Sequence, residues 1–348
     1  MTSLLLWKEH LKRFYNRYSY GIQPVVRFLF ALCTMVSLNT NIGYMAKLKS
    51  PLVILPVCLV SAFLPYGAIV FLAGCLMIAH VYAVSLEMAL IAIVLILTIA
   101  ILYYGFKPGD SYLMVLTPLA FLFKIPYVVP LLVGLGGSLA SVIPVGCGVF
   151  LYYLLIYVKQ NAGILAASDG SVDIVQKYSQ ILKSVLFNQT MMVMIATCAV
   201  GIIVVYLIRR LSMDYAWVVA IVAGAVAELL AIFVGDFVFG VSVPVGQMIL
   251  GLVLSAAIAA VFNFFVLSVD YTRTEYVQFE DDDYYYYVKA VPKMTVSTPE
   301  VKVQKISTHK RGTREMCIRD RIHSRLRAPE KPGCLRARRR SWRPDSRS

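Results

Sequence analysis

The chain has 348 residues, of which 59% are hydrophobic and 15% charged, and its mean hydropathy is +0.73. That much apolar side chain exceeds what a soluble domain of this size can bury, so a soluble globular protein is excluded and the lipid bilayer becomes the expected solvent. The net charge of +14 does not mark a nucleic-acid partner, because the excess is local: between Met316 and Ser348 ten Arg and one Lys face two Asp and one Glu.

At the start, Trp7, Leu11, Phe14, Tyr15 and Tyr18 recur at helical spacing, with Lys8, Lys12, Arg13 and Arg17 on the other faces. This pattern predicts an amphipathic arm over residues 1–20 lying in the membrane interface, on the cytoplasmic side by the positive-inside rule. Residues 21–38 then form a first crossing, with Arg27 near enough to its start to snorkel. Phe30 and Leu32 before Cys33 are too bulky for a signal-peptide cleavage site.

From Pro51 to Val158 the chain reads as one unit written twice. A shift of about 61 residues lays Ser50, Leu52, Pro65, Tyr66 and Val81 on Ser111, Leu113, Pro126, Tyr127 and Val142. Each copy (50–106 and 111–158) has a short apolar segment, a Pro-Tyr break, a second apolar segment and a longer one. Short Pro-broken segments at matching positions point to discontinuous helices or re-entrant hairpins, whose unpaired backbone can line a path. Three segments apart, the copies would run in opposite directions, as an inverted repeat.

A soluble loop follows Val158, and within it Ile174, Val175, Tyr178, Ile181, Leu182 and Val185 form one apolar stripe, predicting a surface helix over residues 171–187. Spans are expected over 191–208, 214–240 and 245–269, with Arg209-Arg210 as a cytoplasmic mark. The expected fold is therefore an all-α polytopic membrane protein of about ten segments, its transmembrane domain covering 21–269. Both termini fall in the cytoplasm, and Lys47 and Lys49 fall outside, against the rule.

The cytoplasmic tail, 270–315, carries two aromatic and β-branched runs around the acidic residues Glu280, Asp281, Asp282 and Asp283, which suggests a small hairpin. An isolated hairpin is marginal in water, so Phe279, that acidic run and Tyr284, Tyr285, Tyr286 and Tyr287 are candidates for docking a partner. From Glu315 onward the composition changes abruptly. Met316-Cys317-Ile318-Arg319-Asp320-Arg321 resembles a translated transposon-end adapter, and residues 316–348 are expected to be a chimeric addition.

Glu228, near the middle of the 214–240 span, is the leading candidate for chemistry. A carboxylate there costs a few kcal/mol unless protonated or paired, and burial raises its pKa toward the range a proton or cation carrier needs. Lys124 beside the second break could pair with it or snorkel. Asp236 is expected at the outer interface, Glu87 and His80 near membrane surfaces, and Gly134, Gly136 and Gly137 at a close helix contact. Pro65, Tyr66, Pro126 and Tyr127 complete the candidate path. The seven cysteines show no CxxC spacing, and five of them, Cys33, Cys58, Cys75, Cys147 and Cys198, lie in apolar segments, so no metal, cofactor or disulfide framework is expected. No phosphate loop, HExxH or GxSxG occurs, so the chain is not its own ATPase and nothing motivates an enzyme.

The stretches 124–130 (KIPYVVP) and 278–293 (QFEDDDYYYYVKAVPK) together resemble an uncharacterised family of multi-pass membrane proteins of Gram-positive anaerobes, often labelled ABC transporter permeases. The resemblance implies a permease-like subunit of a bacterial cytoplasmic membrane, working with a separate ATPase. An ion-coupled carrier using Glu228 and a non-transporting scaffold bound to envelope or secretion proteins are the alternatives.

Overall fold

The computed structural model describes residues 2–166, 174–211, 213–241, 244–267, 275–280 and 284–290, all within one unit, Met1–Val296. Helices occupy 84% of them, the outcome hydrocarbon surroundings impose on backbone groups that have only one another as partners. In chain order they are α1 (Thr2–Ile42), α2 (Ala46–Lys49), α3 (Pro51–Ser61), α4 (Tyr66–Tyr82), α5 (Leu86–Phe106), α6 (Ser111–Leu122), α7 (Val128–Gly136), α8 (Val142–Ala166), α9 (Ile174–Leu186), α10 (Gln189–Arg209), α11 (Ala216–Phe239) and α12 (Val245–Phe262), then strands β1 (Glu275–Glu280) and β2 (Tyr285–Ala290). Among the described residues, six helical stretches are long and apolar enough to cross a membrane: Leu6–Ile42, Leu86–Phe106, Leu139–Leu165, Tyr178–Arg209, Ala216–Phe239 and Val245–Val266. The chain is a multi-pass helical membrane protein. Each of the ten apolar segments expected from the sequence carries a helix, but α3, α4, α6 and α7 fall short of that length.

At ~1.5 Å per residue, the Leu6–Ile42 stretch far exceeds the ~30 Å hydrocarbon core of a bilayer. It is not straight. Helical geometry fails at Tyr18 (φ −113°, ψ 19°), just before Pro24, which has no N–H to give. Ahead of the break, Trp7, Leu11, Phe14 and Tyr15 are exposed. Lys8 Nζ donates to the Phe264 carbonyl (2.8 Å) and Trp7 meets Phe265 edge-on, so the arm lies beside the end of α12.

Hydrogen bonds tie the helix ends into two groups. At the first, Arg27 of α1 bonds the Leu64 carbonyl and Tyr66 packs on Tyr112. Close by, Ser141 Oγ donates to Asp110 Oδ2 (2.5 Å), Lys107 pairs with Asp110 (3.2 Å), and Arg209 bonds the Leu135 and Gly137 carbonyls. Phe262 lies against Gly136. At the opposite end, His80 of α4 bonds Asn39 of α1 and Lys159 of α8 bonds Asn41. The first group will be called the Lys107 end and the second the His80 end.

The second Pro-Tyr break acquires a clear geometry from these ties. α6 leaves the Lys107 end, turns through Lys124 (φ 62°), and α7 returns to the same end, where Arg209 and the Lys107–Asp110–Ser141 network hold it. α6 and α7 form a helical hairpin whose two outer ends lie together at the Lys107 end. The first Pro-Tyr break differs: α3 runs from the His80 end to Leu64 and α4 runs back, joining the two ends. Matching elements of the two copies run in opposite senses but keep different neighbours, α3 packing on α1 and α6 on α8.

The core divides along the same lines. Met77, Val81, Met88, Leu154 and Val158 pack together near the His80 end. There α9 adds Ile181 and Val185, both buried, while Leu182 stays exposed. The predicted surface stripe thus covers helix ends, and the side chains of Ile174 and Val175 lie outside those described. A second core joins α7, α10, α11 and α12 through Val129, Val133, Cys198, Ile202, Ile232 and Met248. α10 and α11 are in very close contact because glycine faces valine across them, Gly224 against Val205 and Gly235 against Val193. Asn188 Oδ1 accepts from the Met191 N–H (3.1 Å), so the sequon-like Asn188-Gln189-Thr190 is an N-cap of α10.

β1 and β2 pair antiparallel, Phe279 opposite Tyr286 with rings stacked at 4.9 Å. Val277, Phe279, Tyr284, Tyr285, Tyr286, Tyr287 and Val288 are all exposed. Asp281, Asp282 and Asp283, the remainder of the tail from 291 and the expected chimeric addition, 316–348, lie outside the described residues.

Candidate functional site

Glu228 sits twelve residues into the 24-residue α11, close to its middle. It is fully buried, and neither carboxyl oxygen has a hydrogen-bond partner. An unpaired ion in such a place costs several kcal/mol, which the neutral acid avoids. Space for the side chain comes from α10: a Cβ added at Gly201 would stand 2.5 Å from Glu228 Oε1. Tyr127 and Cys198 are its electrostatic neighbours.

Tyr127 is 5% exposed and follows the hairpin tip. Its ring lies against Gly251 of α12, where a Cβ would come within 3.3 Å of Cε2 and 3.5 Å of the Lys124 carbonyl oxygen. One helical turn on, and therefore on the same face of α12, Ser255 is fully buried with its Oγ unpartnered. The hairpin tip thus approaches α12 at a glycine, in a part of the molecule where a carboxyl and a hydroxyl both lack partners. Buried polar groups are normally satisfied, so such exceptions call for an explanation. This arrangement can accept and release a proton, or place oxygens around a small solute.

Other candidates fall elsewhere. Lys124 is exposed at the tip and makes no ion pair with Glu228. Asp236 is exposed, two turns along α11. Pro65 is exposed in extended conformation (φ −66°, ψ 158°) at the start of α4, and Tyr66 packs on Phe30, Tyr112 and Arg27 at the Lys107 end. Pro126 is half-buried, and Tyr127 beside it lies within electrostatic reach of Glu228. Gly134 packs on Val205, the close helix contact expected, and Gly137 ends α7. Glu87 is half-buried in the first turn of α5.

His80, expected near a membrane surface, is completely buried. Its Nδ1 accepts from the Met45 N–H (3.3 Å), which leaves Nε2 to donate to Asn39 Oδ1 (2.6 Å), while Asn39 Nδ2 donates to the Leu48 carbonyl. It pins the α1–α2 corner to α4. His80→Ala would leave the Met45 N–H and Asn39 Oδ1 without these partners, so a thermal-melt series in detergent should show a loss of about 1–3 kcal/mol, partly recovered by Asn or Gln. Sequence reasoning missed Ser255, Gly201 and Gly251; the Gly-x-x-x-Ser spacing on α12 was the available signal.

No protein family, curated protein or solved structure matches the chain. Function therefore has to be argued from the site itself.

Proposed function

We propose that the chain is a permease-like protein of a bacterial cytoplasmic membrane, in which protonation of Glu228 is coupled to passage of a small solute beside the α6–α7 tip. In this reading α1, α3, α4, α5, α8, α10, α11 and α12 cross, and α6–α7 enters and leaves by the Lys107 end. That end faces the cytoplasm. It carries Lys8, Lys12, Arg13, Arg17, Lys107, Arg209 and Arg210, against Lys47, Lys49, Lys159 and Lys183 at the other, in line with the positive-inside rule. The arm of α1 and the β1–β2 hairpin then share the cytoplasmic side.

The observation that carries the reading is a fully buried carboxyl with two unpartnered oxygens next to a broken helix pair. Ionisable groups at mid-membrane are costly to keep and mark ion or substrate paths, and broken helices are where such paths run. Proton loss from Glu228 creates a charge that must find a solute or a polar neighbour, which ties protonation to occupancy.

The test is to reconstitute the full chain on a solid-supported membrane and apply jumps of amino acids, sugars, nucleosides and short peptides under a proton gradient. One class should evoke a pH-dependent current, absent in Glu228→Gln although that variant melts no lower than wild type. Full proton-coupled uptake by Glu228→Gln would sink the reading. A second reading, docking of a separate ATPase, draws on the exposed apolar face of Val277, Phe279, Tyr286 and Val288. Co-purification of a nucleotide-binding subunit, lost on deleting 275–290, would support it, whereas recovery of envelope proteins alone would favour the scaffold.

A further inference from the structure

Away from Glu228, the other half of the molecule holds an apolar groove of about 180 Å³ between α1, α4, α5, α6 and α8. Small residues carve it: Gly67, Ala73 and Gly74 on α4 and Ala100 on α5, with Thr34 and Pro118 facing them. Thr34 in its lining bonds the Phe30 carbonyl (2.7 Å) and Tyr103 the Pro108 carbonyl, and beside the Ser37 and Tyr104 hydroxyls the rest of the wall is almost wholly hydrocarbon. A slot of this kind between spanning helices suits a hydrocarbon chain.

The rim of the groove at the Lys107 end has the opposite character. Tyr66 adjoins Gly67 of the lining, and the Arg27 guanidinium lies over the Tyr66 ring at 5.5 Å. Arg27 Nη1 bonds the Leu64 carbonyl (3.3 Å), Nε is buried without a partner, and among the described residues no carboxylate pairs with this cation. Phe30, one turn from Arg27, packs on Tyr66, and Thr34, one turn further, lines the slot, so rim and groove are continuous along α1. An uncompensated guanidinium at the mouth of a hydrocarbon slot is complementary to a molecule with an anionic head and an alkyl tail.

We propose that this groove binds one acyl chain of an anionic phospholipid whose phosphate sits on Arg27. The proposal needs only the membrane setting and is independent of any transport role. Arg27 supplies the positive charge and a charged donor for phosphate, Tyr66 holds the guanidinium in place, and the small residues of α4 and α5 leave room for the chain. Cys75, exposed on the groove wall, is a built-in reporter.

The full chain, purified and stripped of lipid in detergent, is titrated with dioleoylphosphatidylglycerol, dioleoylphosphatidylcholine or inorganic phosphate. Native mass spectrometry reads bound lipid, and site-resolved maleimide alkylation reads Cys75. Phosphatidylglycerol should be retained through purification and slow Cys75 alkylation several-fold more than phosphatidylcholine, while inorganic phosphate does neither. Arg27→Gln should abolish the difference between the two lipids and Arg27→Lys should keep part of it. Ala100→Leu, which fills the slot, should lower retention of both lipids; if it fails to fold, Thr34→Leu serves the same purpose. Equal protection of wild type by both lipids overturns the headgroup assignment, as does protection by inorganic phosphate or an unchanged preference in Arg27→Gln. Cys75 alkylation indifferent to lipid overturns the groove assignment.

Discussion

Gly224→Leu is expected to yield a protein that reaches the membrane but fails to hold its α7–α10–α11 core. Gly224 faces Val205 of α10, and an added Cβ would also stand 2.9 Å from Leu131 Cδ2 of α7, so a side chain there meets two helices at once. Both obstacles are fully buried. Overpacking of this kind costs about 1–3 kcal/mol where neighbours can shift, and here the neighbours are backbone-anchored β-branched and leucine side chains. Thermal unfolding in a fixed detergent should show the largest drop of any single change proposed, with helix content falling in the same transition. The sharper check is the pair Gly224→Leu with Val205→Ala, which should recover a large part of the loss, since residues in contact do not act additively. Simple addition of the two losses would mean that α10 and α11 are not in the contact described.

Arg209→Ala should release the hairpin at its base. The guanidinium bonds the carbonyls of Leu135 and Gly137, the last acceptors of α7, and lies over the rings of Tyr206 and Trp217. Hydrogen bonds to a charged group contribute about 1.5–3 kcal/mol each in protected settings, and partial exposure puts the pair toward the lower value. The expected result is faster hydrogen exchange of the amides between 128 and 138, with those of α5 unchanged. Arg209→Lys should not restore protection, because a single ammonium lacks the fork that reaches both carbonyls. Equal exchange in wild type and Arg209→Ala would show that the Lys107–Asp110–Ser141 network alone holds α7.

Much of this architecture was legible in the residues. Apolar runs placed every long helix, the Pro-Tyr pairs marked where helices stop, and a lone acid in an apolar run singled out Glu228. Local pattern could not say that the two breaks serve different ends. Tyr66 meets a cation at a helix end, whereas Tyr127 is buried against α12, and that difference comes from partners far along the chain. The same limit explains His80, whose burial depends on Asn39 and Met45 arriving from α1 and its following corner. Arg209 read as a topological mark because charge counting sees its sign, and its carbonyl partners lie some seventy residues earlier.

The hairpin also sets an order of events. α6 and α7, at 12 and 9 residues, are each too short to span the hydrocarbon alone, and in the proposed topology the turn between them is tolerable there only under protein cover. α6 finds cover on α8, made soon afterwards, but α7 packs against α10, α11 and α12, which leave the ribosome later. In the proposed topology α7 therefore waits for its cover until those three helices have been made. A ribosome stalled after α8 would hold a protein with most of its hydrophobic mass inserted and its central feature still unplaced.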